Sequence, residues 1–180
     1  MRIVSGKYKG RHFKPPKDFK ARPTTDFAKE NLFNILANYI DFQDKNVLDL
    51  FAGTGSIGIE FISRGASRVT SVENNYKHFQ FLKKITQKLD IDNIRIIKKD
   101  VFRFLEHSNE KFDLIFADPP YQLEGIDKLP DLIFNNNLIE EKGILIIEHS
   151  SQTHFGNHNC FSELRTYGSV NFSFFRPHNL

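Results

Sequence analysis

Three things are scarce in this sequence of 180 residues: cysteine, long apolar runs and net charge. The single cysteine, Cys160, cannot form an internal disulfide, which is typical of a protein in the reducing cytoplasm. No apolar run approaches the roughly 20 residues that cross a bilayer, and the opening residues lack the apolar segment of a signal peptide. We therefore expect a soluble, cytoplasmic protein with no membrane partner.

The net charge of +3 hides an asymmetry along the chain. Residues 1–22 carry eight basic residues against one acidic residue, a balance of +7, which leaves −4 for the rest of the chain. This charge indicates either an arm that binds a polyanion through phosphates or a solvated terminus that maintains solubility. The sequence accordingly divides into a basic arm and linker (residues 1–22) and a main domain (residues 23–180). The candidate phosphate contacts are Arg2, Lys7, Lys9, Arg11 and Lys14.

Apolar runs alternate with helical patterns from residue 45 onward. Such short, nearly continuous runs are typical of strands buried on both faces. The predicted strands are residues 46–50, 69–73, 94–97, 112–116, 144–147, 164–167 and 170–175. The predicted helices between them are residues 56–64, 75–89, 101–107 and 125–136. The pattern predicts an α/β, Rossmann-like fold with a mostly parallel seven-stranded sheet and an antiparallel C-terminal hairpin.

The first 40 residues predict a small extension before that sheet. Residues 2–13 have the turn chemistry of a β-hairpin, and the prolines in residues 14–24 favour an extended linker. Thr24 or Thr25 can cap a helix that runs to about Tyr39. Phe13 and Phe19 lie among lysines and are candidates for stacking on bases.

A glycine-rich loop follows the first predicted strand. Gly53, Gly55 and Gly58 form a G-x-G-x-x-G pattern between a strand and a helix, where glycine lets backbone approach a ligand closely. Glu73 ends the second strand, where a carboxylate can accept hydrogen bonds from ribose hydroxyls. The pattern predicts a nucleoside-containing cofactor. Further candidate contacts are Phe51, Ala52, Thr54 and Asn74.

Asp49 decides between the cofactors that such a loop can hold. A carboxylate there would repel a dinucleotide pyrophosphate but attract the ammonium and sulfonium of S-adenosylmethionine. After the third strand, Asp100 can accept from an adenine amino group and Val101 can offer its backbone N–H. Asp100 can equally be only the N-cap of the next helix.

The fourth predicted strand ends in Asp118, Pro119, Pro120 and Tyr121. An exocyclic base amine is a poor nucleophile because its lone pair is delocalised into the ring. The Asp118 carboxylate and the Pro119 carbonyl can accept both amine hydrogens, while Tyr121 offers a face on which an extruded base stacks. The motif predicts methylation of an exocyclic base nitrogen.

The glycine loop and Asp-Pro-Pro-Tyr together resemble class I methyltransferases that act on amino groups. Residues 1–11, 22–26 and 32–36 are similar to the RsmD family of bacterial 16S ribosomal RNA guanine-N2 methyltransferases. The resemblance implies S-adenosylmethionine as cofactor, S-adenosylhomocysteine as product, and a monomer acting on ribosomal RNA, free or within an assembled or partly assembled small subunit. It also implicates Arg22, Thr24 and Asn31 in the cofactor pocket. One departure is Phe27, where the family more often has a basic residue.

Three alternatives remain from the residues alone. An adenine-N6 DNA methyltransferase uses the same four-residue motif but usually needs a target-recognition domain. An NAD-dependent oxidoreductase explains the glycine loop but neither Asp49 nor the motif. A silent RNA-binding module explains the basic arm alone. His149, His154, His158 and Cys160 match no firm zinc spacing, so we expect no metal.

Overall fold

Seven strands form one sheet in the computed structural model, which describes residues 1–16, 19, 26–168 and 170–177. The strands are β1 (Asn46–Leu50), β2 (Arg68–Val72), β3 (Ile94–Ile97), β4 (Phe112–Ala117), β5 (Ile139–His149), β6 (Phe161–Tyr167) and β7 (Val170–Phe175). Their order in the sheet is β3-β2-β1-β4-β5-β7-β6. The first five strands along the chain run parallel, while β7 is antiparallel to both β5 and β6. The predicted sheet and its antiparallel hairpin are confirmed.

Helices cover both faces of this sheet. They are α1 (Asp26–Leu36), α2 (Ser56–Ser63), α3 (Tyr76–Lys88), α4 (Val101–His107) and α5 (Leu129–Asn135), with a 3-10 turn at Ile126–Lys128. Apolar residues of α1, α2 and α3 join one buried cluster, and those of α4 and α5 join a second. Alternate residues of one strand enter the two clusters: Leu114 belongs to the first and Ile115 to the second. Burial on both faces explains why the strands read as continuous apolar runs.

Several predicted boundaries differ from the structure. The first helix ends at Leu36 rather than near Tyr39, and its expected threonine cap lies outside the described residues. The helix predicted over residues 125–136 is a 3-10 turn followed by α5, and Pro130 stands in the first turn of α5, where a missing N–H costs little. β5 begins five residues early, at Ile139, because it continues through an exposed polar stretch and a shift in pairing with β4.

The first 13 residues fold back on the domain. They form one antiparallel bridge, between Arg2 and His12, instead of two regular strands. The Ile3 amide donates to the Arg11 carbonyl at 3.0 Å. Ile3, Tyr8 and Phe13 are buried in the same cluster as α1 and α2. The arm is therefore part of the domain's core on one side and solvent-exposed on the other.

No helix in the described ranges is long and apolar enough to cross a membrane.

Candidate active site

The glycine loop and the Asp-Pro-Pro-Tyr motif meet at one edge of the sheet. They follow β1 and β4, which are neighbours, with Leu50 paired to Ala117 at the carboxyl ends of the two strands. From β1 the chain moves outward to β2 and β3, and then returns to place β4 on the other side of β1. In open α/β sheets a ligand crevice lies at such a reversal of strand order, beyond the carboxyl ends of the strands.

The glycine loop turns tightly before α2. The Gly55 amide donates to the Ala52 carbonyl at 2.7 Å, and Gly55 has a φ of 74°. A side chain at this position would also meet α3, since a Cβ would lie 2.0 Å from Leu82 Cδ1. Glycine is therefore required at position 55 both by conformation and by packing.

Asp49 is buried beneath the loop. Its Oδ2 accepts from the Gly58 amide at 3.1 Å, and a Cβ on Gly58 would lie 2.9 Å from that oxygen. Burial raises the pKa of Asp49 to about 8, and the negative charges of Asp118 and Glu73 add to the rise. At this pKa the carboxyl is largely protonated at pH 7, and a cation beside it would favour its ionised form. The predicted role of Asp49 beside a cationic cofactor stays a prediction.

Glu73 ties the end of β2 to the glycine loop. Its Oε2 accepts from the Gly53 amide at 2.7 Å, and its Oε1 accepts from the Asn75 amide at 2.6 Å. The Nδ1 atom of His78 lies 3.6 Å from Oε2. A carboxylate has about four lone-pair sites, so these contacts leave acceptor capacity for a ligand hydroxyl. The predicted role at the ribose stays a prediction.

Asp100 caps α4. Its Oδ1 accepts from the Arg103 amide at 3.1 Å, so the capping alternative describes one of its functions. Val101, the first residue of α4, is buried, and Asn31 is half-buried in α1. Arg22 and Thr24 lie outside the described residues. The cofactor contacts predicted for all of these residues stay predictions.

Other predicted cofactor residues lie directly after the ends of β1 and β2. Phe51 has a φ of 63°, in the left-handed region, so it forms part of the turn rather than of β1. Ala52 and Thr54 are buried, and the Ala52 amide donates to the Val72 carbonyl at 2.9 Å. Asn74 is exposed next to Glu73. The structure thus brings the ends of β1 and β2 together around the loop.

The Asp-Pro-Pro-Tyr motif (residues 118–121) presents one acid and one ring. Burial raises the pKa of Asp118 to about 6, which leaves its carboxyl mostly ionised at pH 7. Pro119 is buried, while Pro120 is exposed and its carbonyl accepts from the Leu123 amide at 2.8 Å. Tyr121 is 50% exposed. An ionised acceptor therefore lies beside an accessible aromatic ring at the end of β4.

Sequence reasoning missed a buried ion pair that joins the arm to the glycine loop. Lys29 of α1 donates to Ser56 Oγ at 3.0 Å and to the Arg2 carbonyl, and its Nζ lies 3.6 Å from Glu60 Oε2. Glu60 in turn accepts from the amides of Val4 and Ser5 at 2.8 and 2.9 Å. The available signal was Glu60 itself, the single charged residue in an otherwise uncharged helix, α2.

The predicted RNA contacts lie on the outer side of the arm. The exposed residues are Arg2, Lys7, Lys9, Arg11 and Lys14. The two predicted stacking residues pack against the protein itself: Phe13 is 7% exposed, and the half-buried Phe19 stacks on His78 with ring centroids 4.0 Å apart. Their position among lysines was misleading because exposure depends on the fold.

The histidines near the C-terminus have ordinary partners. His149 is buried, with Nε2 2.8 Å from Ser173 Oγ and Nδ1 2.8 Å from the Ser150 carbonyl, and burial lowers its pKa. Within the described ranges no three histidine, cysteine or acidic side chains are arranged to hold a metal ion.

The strand order, the glycine loop after β1 and the acidic motif after β4 define a class I methyltransferase. The chain belongs to the family described as "Conserved hypothetical protein 95", whose sequence profile matches residues 1–176. It is 34% identical over 151 residues to "Ribosomal RNA small subunit methyltransferase D" of Buchnera aphidicola subsp. Baizongia pistaciae, covering 84% of this chain and 76% of that protein. The protein of the same name from Escherichia coli K12 is 32% identical over 148 residues, covering 82% and 74%.

Solved structures agree with this membership. A putative methyltransferase of Escherichia coli, yhhF, superposes with a TM-score of 0.85 at 27% identity, covering 97% of this chain and 96% of that chain. The Thermus thermophilus protein TTHA0928 gives a TM-score of 0.86 at 26% identity, covering 98% and 99%. The prediction of an S-adenosylmethionine-dependent methyltransferase related to small-subunit ribosomal RNA enzymes is confirmed.

Proposed function

We propose that this chain methylates the exocyclic N2 amine of a guanine in 16S ribosomal RNA. The observation that carries the proposal is the position of Asp118, an ionisable acid at the end of β4, next to the loop after β1 that covers Asp49. The relatives named ribosomal RNA small subunit methyltransferase D support ribosomal RNA as the substrate. The choice of guanine N2 rests on the resemblance of the opening residues to the RsmD family.

The residues around the loop fit S-adenosylmethionine. Asp49 is a buried carboxyl whose ionised form a cation would stabilise, and Glu73 retains acceptor capacity for hydroxyl groups. Gly55 and Gly58 let the loop and the start of α2 pack closely against Leu82 and Asp49. The cofactor contributes a methyl group on a positively charged sulfur. We assign its binding to Asp49, Phe51, Ala52, Gly53, Thr54, Gly55, Gly58, Glu73, Asn74, Asp100 and Val101, together with Arg22, Thr24 and Asn31.

Asp118 and Pro119 activate the exocyclic amine of the base as a nucleophile. The ionised Asp118 carboxylate and the Pro119 carbonyl accept the two amine hydrogens, which draws the nitrogen lone pair out of conjugation with the ring. The amine nitrogen gains positive charge as it reacts, so its hydrogens bind the carboxylate more strongly in the transition state than in the ground state. The extra proton then passes to Asp118 or to water. Pro120 stiffens the turn that holds both acceptors.

Tyr121 and the basic arm hold the RNA. The exposed ring of Tyr121 stacks on the target base, which must be unpaired or extruded to reach Asp118. The exposed cations of the arm bind phosphates without reading sequence. We further propose that the protein acts as a cytoplasmic monomer, on RNA that is free or within an assembled or partly assembled small subunit.

The decisive experiment is methyl transfer from a labelled methyl donor to separate pools of 16S ribosomal RNA, small ribosomal subunits, transfer RNA and DNA. The proposal expects label in 16S ribosomal RNA, either free or in the subunit, and none in DNA. Label in DNA adenine would instead establish the adenine-N6 alternative. Tight NAD binding without binding of the methyl donor would contradict the cofactor assignment.

A further inference from the structure

Exposed aromatic rings gather at one edge of the molecule. Among the described residues four phenylalanine or tyrosine side chains are largely exposed: Phe27 at 76%, Tyr76 at 61%, Tyr121 at 50% and Tyr167 at 40%. Tyr121 follows β4 and Tyr76 follows β2, so both lie beyond the carboxyl ends of parallel strands. The remaining two reach the same edge by other routes.

Tyr167 reaches this edge because β6 runs antiparallel to β7. It is the last residue of β6 and pairs with Val170, the first residue of β7. The next residue of β7, Asn171, pairs with His149 at the carboxyl end of β5. Tyr167 therefore lies at the same edge of the sheet as the end of β5, but on the outermost strand, with β7 and β5 between it and β4 and its Asp-Pro-Pro-Tyr motif.

Phe27 reaches the edge at the start of α1. Lys29 lies two residues further along the helix and donates to Ser56 Oγ. Ser56 directly follows Gly55 of the glycine loop. Asp26, the residue before Phe27, accepts a hydrogen bond from the Arg2 amide at 3.2 Å, and its carboxylate lies 3.7 Å from the Arg2 guanidinium. Phe27 is thus an exposed ring in the first turn of a helix that contacts both the residue after the glycine loop and the arm.

We propose that Phe27 and Tyr167 stack on unpaired nucleotides that flank the target guanine, and so hold a single-stranded segment of RNA across the site. The inference rests on the proposed function and extends it from the target base to its neighbours. Single-strand sites combine cationic side chains along the backbone with aromatic faces for successive bases. Here Arg2, an exposed cation of the arm, contacts Asp26, the residue before Phe27. The ring of Tyr121 follows β4, the strand between β1 and β5. Duplex RNA cannot use such rings because its bases are already stacked.

The test measures binding of a fluorescent 15-nucleotide single strand and of the matching duplex at one fixed salt concentration. Phe27→Leu and Tyr167→Leu keep apolar bulk but remove the rings, and each should weaken single-strand binding by about 5- to 150-fold while leaving duplex binding unchanged. Phe27→Tyr and Tyr167→Phe keep a ring and should bind as the wild type does. Leu164→Ala, which removes another exposed apolar side chain of β6, is the matched control and should have no effect.

Three results would overturn the inference. Unchanged single-strand binding in both leucine variants would show that the rings do not stack on RNA. An equal loss for single strand and duplex would indicate a general effect on the fold or charge. A loss confined to methylation of small subunits, with RNA binding intact, would indicate a contact to ribosomal protein. If the wild type binds single strands but labels no ribosomal RNA, the proposed function fails independently of these rings.

Discussion

The ammonium of Lys29 lies 3.6 Å from the carboxylate of Glu60, and neither side chain is exposed to solvent. Burial lowers the pKa of Lys29, while the charge of Glu60 opposes that shift. The pair connects three segments, because Lys29 belongs to α1, Glu60 to α2, and both bind backbone atoms of the arm. The arm that carries the proposed RNA contacts is therefore anchored to α1 and to α2, the helix that follows the glycine loop.

Lys29→Met should destabilise the protein by about 3 kcal/mol, the lower end of the range for removing one partner of a buried ion pair. Arg64 still pairs with Glu60 at 2.9 Å in this variant, which limits the loss. Chemical denaturation measures the change. The matched control is Lys45→Met, which breaks a partly exposed pair with Asp113 and should cost no more than about 1 kcal/mol. Equal losses in the two variants would contradict the structural role of Lys29.

The arm's contribution to RNA binding should be tested by point changes rather than by deletion. Deleting residues 1–13 would strip Glu60 of two backbone donors and remove Ile3, Tyr8 and Phe13 from the core. Lys9→Ser with Arg11→Ser removes two exposed charges and should flatten the slope of log affinity against log salt by about 0.7 for each lost phosphate contact. The matched control is the double variant Lys83→Ser with Lys84→Ser, which removes the same number of positive charges from α3. If both double variants behave alike, net charge rather than the arm governs binding.

Asp49→Asn should stabilise the ligand-free protein at pH 8. The pKa of Asp49 is about 8 in the fold against 3.8 as its model value, so between these values the unfolded chain has lost a proton that the folded protein keeps. Stability from this group therefore falls as pH rises from about 4 to 8. Asparagine is neutral throughout and keeps an oxygen for the Gly58 amide. Urea midpoints at pH 5 and pH 8 should show a gain for the variant that is larger at pH 8; a gain independent of pH would contradict this account.

The same residue predicts proton release when the methyl donor binds. A cation beside Asp49 favours its ionised form, so binding near pH 7 should expel up to one proton. Calorimetry in two buffers with different ionisation enthalpies measures the protons released. The Asp49→Asn variant should release fewer protons and bind the methyl donor more weakly.

The pH profile of the methylation rate should show an acidic limb, that is, a loss of activity at low pH as Asp118 becomes protonated. Its pKa is about 6 in the ligand-free protein, and a bound cation moves it lower, so activity should be lost as pH falls through 6 and below. Asp118→Ala should reduce kcat about 100- to 1,000-fold, by analogy with removing one preorganised electrostatic partner, and its residual rate should lack this limb. Single-turnover rates between pH 5 and pH 8 provide the comparison. A variant that keeps the wild-type rate and profile would place amine activation elsewhere.

The elements that the sequence predicted well depend on local patterns. The glycine loop, the Asp-Pro-Pro-Tyr motif and the buried parallel strands each lie within a few consecutive residues, and the order of strands and helices then brings the loop and the motif together. The start of β5 was missed because residues 140–142 are polar and exposed, which hides the strand pattern.

What the sequence could not predict depends on contacts between distant segments. Lys29 and Glu60 are 31 positions apart and pair only because α1 packs beside α2. The protonation of Asp49 follows from burial that the fold imposes. Phe13 and Phe19 resembled stacking residues in sequence, yet the largely exposed phenylalanine and tyrosine rings of the described residues are Phe27, Tyr76, Tyr121 and Tyr167.

The central claim is most directly tested by identifying the methylated nucleoside. Unmodified 16S ribosomal RNA, free and within small subunits, is incubated with the wild type or Asp118→Ala and a deuterium-labelled methyl donor, and its nucleosides are then resolved by mass spectrometry. The account predicts one labelled product, N2-methylguanosine, formed by the wild type and reduced about 100- to 1,000-fold with the variant. Label on a ring nitrogen or a ribose oxygen, or equal labelling by the two proteins, would contradict it.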